Sequence, residues 1–155
     1  MQKELAKELI SFIDKSPTAF HATKTAVDIL KSAGFKKLEN SEKWNLKAGD
    51  KYYIEKNKSA FIAFIVGNKK IYNNGFKVIG AHTDSPCFKI KPKCEINVDN
   101  SYVKLNTEGY GGAILSTWFD RPLSIAGRVV LKGKSSLKPK EKLVNINKPI
   151  LIIPN

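Results

Sequence analysis

Val78-Ile79-Gly80-Ala81-His82-Thr83-Asp84-Ser85-Pro86 carries an apolar lead-in, then a histidine and an aspartate two positions apart, then a proline. The lead-in reads as a buried strand that begins near Phe76, just after the turn signal Asn73-Asn74-Gly75, and runs through Val78 and Ile79. On an extended chain residues i and i+2 project to the same side, so His82 and Asp84 can meet beyond the strand's C-terminal end. Open α/β sheets bind ligands at that end. A neutral imidazole is a good zinc ligand, and a carboxylate beside it can orient the ligand set. The same pair can equally be a strand-end hydrogen bond, and zinc takes three or four ligands. On these residues alone both alternatives stay open.

Working outward, Gln2 to Ile13 has Leu5, Leu9 and Phe12 at helical spacing, and predicts an amphipathic helix. Ser16 is a suitable N-cap and Pro17 a suitable first residue for a second helix, which runs to about Ala33 with Phe20, Val27 and Leu30 on one face. Gly34 ends it by taking a left-handed conformation. Strands follow: Lys51 to Glu55, Ala60 to Val66, Cys87 to Ile90, Ile96 to Val98, Tyr102 to Asn106, Ile125 to Leu131 and Lys142 to Asn145. Gly109 to Gly112 reads as a glycine-rich break, and Lys132 to Lys140 as an exposed loop or turn. Two helices followed by many strands predict an α/β fold with a mixed sheet. The closing Ile150-Leu151-Ile152-Ile153 run is expected either to pair in the sheet or to mark a chain that continues.

The chain has 155 residues, of which 42% are hydrophobic, so a packed core is within reach. Its longest apolar run, Ala60 to Val66, is far shorter than the ~20 residues that cross a bilayer. The N-terminus is charged and lacks a secretory h-region, so a soluble, cytoplasmic protein without a membrane partner is expected. Cys87 and Cys94 belong to no CxxC pair and are expected to be reduced thiols. The 27 basic residues against 14 acidic ones leave a net charge of +13. Such an excess suits phosphate neutralisation, but the lysines are scattered and Arg121 and Arg128 are the sole arginines. With no RNA- or DNA-binding motif present, nucleic acid is disfavoured as a partner.

Gly80 to Pro86 closely resembles the GAHTDSP segment of the M18 metalloaminopeptidases, the aspartyl aminopeptidase family. Ser16-Pro17-Thr18-Ala19-Phe20-His21-Ala22 is similar to that family's SPTPFH-type segment. Tyr110-Gly111-Gly112, Ser116 to Leu123 and Ala126-Gly127-Arg128-Val129 resemble its GG…STWFDR.L..AGRV block. The resemblance implies the N-terminal part of a zinc-peptidase (phosphorylase/hydrolase-like) catalytic domain over residues 1–131. It implies the start of an inserted dimerisation domain over 132–155. His82 matches a ligand of a two-zinc centre, and Asp84 the aspartate that orients the metal site. The family's remaining ligands and its glutamate base are expected after Asn155. The implied activity is zinc-dependent removal of N-terminal residues, acidic ones in many members, from peptide substrates by a dimer-based homo-oligomer, up to a dodecamer. The given stretch alone is expected to be inactive.

Two further functional readings compete with this one: a non-catalytic oligomerisation or regulatory module of the same fold, and a basic nucleic-acid-binding domain. Among the other conspicuous residues, His21 is expected to be a packing or surface histidine. Asp120-Arg121 is expected to form an ion pair, Trp118 and Phe119 to be core or interface aromatics, and Glu108 is a weak candidate for a base. Ser85 and Ser116 lack a GxSxG elbow, so serine nucleophile chemistry is unsupported.

Overall fold

The computed structural model describes residues 2–135 and 137–155; Met1, and Ser136 within the expected Lys132–Lys140 loop, lie outside the described residues. The chain forms two compact units. The first holds the residues up to Asp84 together with Ile125–Asn147, and the second holds Ser85–Ser124 together with Lys148–Asn155.

In the first unit α1 (Gln2–Asp14) precedes α2 (Ala19–Ser32). The α2 cap is Thr18, two residues later than the expected Ser16, and its hydroxyl accepts from the His21 N–H at 3.4 Å. Thr18 does this from an extended backbone, as an N-cap should. At the other end Gly34 has φ +84°. Phe35 N donates to Leu30 O at 3.0 Å and Gly34 N to Lys31 O at 3.0 Å, which together make a Schellman ending. The expected left-handed glycine is therefore found where the sequence put it.

A three-stranded sheet follows, with β1 (Lys36–Lys37) parallel to β2 (Lys51–Lys56) and β2 antiparallel to β3 (Ala60–Ile65). The β2–β3 turn places Asn57 at φ +50° and Lys58 at +54°, and Ser59 N closes it on Lys56 O at 3.2 Å. Two consecutive left-handed residues make a type I′ turn, whose twist matches that of the flanking strands. Tyr53, 1% exposed, is the centre of the core, with Val27 and Ala22 of α2 buried as well. The four-residue helix α3 (Ile71–Asn74) replaces the hairpin turn expected at Asn73-Asn74-Gly75; Gly75 (φ +61°) caps it by donating to Ile71 O at 2.7 Å.

The strand expected over Phe76 to Ile79 is not formed. This segment has no regular secondary structure and no ladder partner among the described residues. Phe76, Val78 and Ile79 are 78%, 84% and 100% exposed. Propensity and apolar pattern favour a strand here, but neither replaces a hydrogen-bonded neighbour and covered faces. The α/β order expected, two helices and then a mixed sheet, is the one found; among the described residues that mixed sheet has three strands, and two two-stranded ribbons accompany it.

One ribbon, β6 (Ala126–Ser135) with β7 (Lys138–Asn145), belongs to the first unit. It occupies most of the expected Lys132–Lys140 loop, with Lys132 and Lys134 on β6 and Lys138, Lys140 and Lys142 on β7. Residues 131 and 132, the boundary implied by the resemblance, are consecutive residues of β6. Arg128 ties this ribbon to the rest of the unit. Its guanidinium stands 4.2 Å over the Phe20 ring of α2. Nη1 donates to the Asn57 carbonyl and to Asn57 Oδ1, each at 3.2 Å, and to Glu141 Oε1 at 3.4 Å. Lys58 Nζ also approaches Glu141, at 2.8 Å. The hydrogen bond from Lys58, with the nearby Arg128 charge, holds the Glu141 carboxyl below the usual glutamate value.

The second unit is built on β4 (Cys87–Val98) paired antiparallel with β5 (Tyr102–Tyr110). The two strands expected at Cys87 and Ile96 are one long strand with a bulge between Ile90 and Glu95. Asp99 (φ +46°) and Asn100 (φ +53°) form a second type I′ turn. Gly109 and Tyr110 belong to β5, so the glycine-rich break is confined to Gly111-Gly112. A single turn of 3₁₀ helix spans Leu115–Thr117. The apolar end of the chain pairs back: Leu123 bridges Leu151, and Asp120 N donates to Ile153 O at 2.9 Å. No helix among the described residues is long and apolar enough to cross a membrane.

Thr23 sits fully buried on α2 with 0% exposure, and its hydroxyl has no hydrogen-bond partner among the described residues. A buried orphan hydroxyl costs about 1–3 kcal/mol. Thr23→Val keeps the shape and removes the orphan, so it should stabilise the fold by about 1 kcal/mol, or ~2–4 °C in Tm at this size. Thermal unfolding of both proteins checks this; a lower Tm for the variant would show that the hydroxyl is satisfied.

Candidate functional site

His82 and Asp84 meet, as their spacing allows, although on an irregular segment with a bend at Thr83 rather than at a strand end. His82 Nδ1 lies 2.7 Å from the Asp84 backbone oxygen and 3.4 Å from Asp84 Oδ1. A carbonyl oxygen can only accept, so Nδ1 carries a proton. In the neutral ring Nε2 then holds the lone pair. The His82 side chain is 80% exposed, which leaves that lone pair accessible, while Asp84 is half-buried beneath it. Between them, Thr83 turns the other way and donates from Oγ1 to the Ser59 carbonyl at 2.8 Å, at the end of the β2–β3 turn. Thr83 is half-buried.

The chemistry of this pair suits a divalent metal. An imidazole whose Nδ1–H is fixed by an oxygen acceptor presents Nε2 in one orientation, the usual arrangement of a metal-ligating histidine. One imidazole is nevertheless a fraction of a zinc site. Among the described residues no group of three or more His, Cys, Asp or Glu side chains comes together that could hold a metal ion.

The remaining conspicuous residues have structural partners. His21 Nδ1 lies 2.8 Å from Thr18 Oγ1 on the first turn of α2. Asp120 does not pair with Arg121: its Oδ1 accepts from Asn155 N at 3.1 Å, and Arg121 Nη1 donates to Thr117 O at 3.1 Å. Trp118 packs edge-on against Phe88, with ring centroids 5.3 Å apart. Glu108 lies exposed on β5 opposite Lys89. Cys87 and Cys94 are free thiols, both half-buried on β4. Motif reasoning missed Thr83 and Arg128, the two residues that fix the turn and the histidine segment to one another. A signal for Arg128 was present: an arginine in a chain that otherwise uses lysine marks a place where a planar fork is needed.

The family model for M18 peptidases, described as aminopeptidase I zinc metalloprotease, matches residues 12–155. A probable M18 family aminopeptidase 2 of Clostridium novyi is 60% identical over 152 residues, covering 98% of this chain and 35% of that protein. Among solved structures, Chaetomium thermophilum mApe1 superposes with a TM-score of 0.90 at 33% identity, over 99% of this chain and 35% of that one. The S. cerevisiae mApe1 dodecamer superposes at 0.88 and 32% identity, over 99% and 36%. The α/β architecture is thus the one seen in aminopeptidases. The chain belongs to the M18 family of zinc metalloproteases. It spans 35% of the length of the curated relatives it matches first.

His21 gives a solution test of the first turn of α2. Burial, with the Lys24 charge as a smaller contribution, lowers its pKa below the ordinary 6.5. A histidine depressed in the folded state contributes stability that is present above the unfolded pKa and is lost as pH falls through the folded one. NMR titration should therefore place His21 below 6.5, with stability declining as pH drops through that range. His21→Gln should flatten the decline; a wild-type His21 titrating above 6.5 would contradict the burial seen here.

Proposed function

We propose that the intact protein is a zinc-dependent aminopeptidase that removes N-terminal residues from peptides, with His82 a metal ligand and Asp84 the residue that orients it. The observation that carries this is the His82–Asp84 pair, with Nδ1 engaged and Nε2 presented, in a chain of the M18 family. His82 supplies one nitrogen donor, and Asp84 holds the ring through its carbonyl and its carboxylate. Zinc, when bound, supplies Lewis acidity toward a scissile carbonyl and toward water. One histidine does not complete a zinc site; the family resemblance implies that the other ligands, a second ion and the general base lie in sequence outside these 155 residues.

The same reading makes residues 1–131 part of the catalytic domain and 132–155 the approach to an inserted dimerisation domain. The protein works in the cytoplasm as a dimer-based homo-oligomer, in line with the dodecamer described for the S. cerevisiae relative. A preference for acidic N-terminal residues is what the family resemblance implies for the substrates.

Hydrolysis of aspartyl and leucyl peptides by the natural-length protein tests this. Activity should disappear with a chelator and return with zinc. His82→Ala should lower kcat/KM by about 10²-fold or more, equivalent to ~2.7 kcal/mol of transition-state stabilisation. The 155 residues alone should show no turnover. Activity indifferent both to chelation and to His82→Ala would sink the proposal.

A further inference from the structure

The segment that carries His82 is held by little. From Phe76 to Ile79 it lacks ladder hydrogen bonds among the described residues, and its apolar side chains are exposed. Four residues further on, Thr83 Oγ1 reaches the carbonyl of Ser59, 24 positions earlier in the chain. That carbonyl is not adrift. Ser59 ends the type I′ turn of Asn57 and Lys58, whose backbone and side chain Arg128 grips, while Glu141 takes both Lys58 and Arg128. The Thr83 hydroxyl therefore joins the peptide between the two candidate site residues to a turn fixed by charge-assisted hydrogen bonds.

We propose that Thr83 is a positioning residue for the metal site, its hydroxyl on the Ser59 carbonyl holding His82 and Asp84 in the arrangement that presents Nε2. This rests on the zinc reading given above. Thr83 sits at a bend between them and spends its hydroxyl on the Ser59 carbonyl, while His82 and Asp84 engage one another, so the tether fixes the backbone and takes up neither site side chain. Its role is purely one of hydrogen bonding. Valine has the same shape and cannot donate, whereas serine can.

Zinc affinity of the natural-length protein, measured by chelator competition, is the first readout. Thr83→Val should weaken zinc binding by about 10–100-fold, the usual effect of losing a group that orients a ligand. Thr83→Ser should stay within about threefold of wild type. The second readout needs no metal: nitrogen NMR of His82 in the zinc-free protein should show the Nδ1–H tautomer in wild type and Thr83→Ser, and a tautomer mixture in Thr83→Val. Should Thr83→Val fail to fold, Thr83→Ala must show the same losses. His82→Ala separates the two readings. If His82→Ala binds zinc as wild type does, the metal reading falls and takes the positioning role with it. If His82→Ala loses zinc but Thr83→Val keeps both wild-type affinity and tautomer, the positioning role alone is overturned.

Discussion

Arg128 is the contact on which the first unit's organisation turns. It is one residue of β6, yet it meets the α2 helix through the Phe20 ring, the β2–β3 turn through both ends of Asn57, and β7 through Glu141. No lysine could do this. A compact ammonium has three donors on a flexible stem, whereas a guanidinium stacks on an aromatic face while its edge donates. A cation over a ring contributes roughly 0.5–1 kcal/mol where exposed and more where water is excluded. The ion pairs around it stabilise modestly on their own account. Their effect is geometric: an extended two-stranded ribbon, which is marginal in isolation, is brought to a fixed place on a helix and a sheet that already have a core.

That arrangement also relates segments that look independent along the chain. Phe20 comes from the segment similar to the family's SPTPFH-type sequence, and Arg128 from the one similar to its AGRV sequence. In the folded unit the two side chains stack. A third segment, Gly80 to Pro86, is linked to the same assembly through Ser59. The sequence separations involved, 24 residues for Thr83 to Ser59 and 71 for Arg128 to Asn57, are large. Local turns and hairpins can close early in folding, but contacts of this span must wait for chain closure. The histidine segment is thus ordered by the completed unit rather than by its own neighbours.

Much of this was legible in the residues, and what was not has a physical reason. The helices showed their period, and Gly34 marked the end of α2 because a left-handed residue without Cβ strain is what a Schellman ending needs. The two-residue spacing allowed the His82–Asp84 encounter, but it is made through a bend at Thr83 rather than along a strand. Thr18 displaced Ser16 as the cap because a side-chain oxygen must reach an N–H three residues on, and the first such free donor belongs to His21. The Phe76–Ile79 strand does not form: apolarity says what a segment would bury and leaves open what it pairs with. The lysine-rich Lys132–Lys140 stretch looked like a loop because polarity was taken for irregularity; a two-stranded ribbon with both faces wetted has no need of alternation. Thr83 and Arg128 lie inside the quoted segments, but hydrogen bonds over such separations leave no periodic trace, so their partners were not legible.

The lysines of β6 and β7 bear on how copies of the protein treat one another. Among the described residues this ribbon has two strands, so each has an outer edge with backbone groups able to receive a further strand. Beside those edges lie Val130 and Leu131, both exposed, which makes the ribbon a template for unwanted strand addition. A second copy docking there would bring its lysines alongside those at positions 132, 134, 138, 140 and 142, at the roughly 4.8 Å spacing of paired strands. Each close approach of like charges costs about 1 kcal/mol even in water, and the cost repeats along the ribbon. It fades as salt shortens the Debye length toward a few ångströms. Lysine charge on this ribbon thus raises the cost of strand addition between copies of these residues, by an amount set by the ionic strength of the surrounding solution.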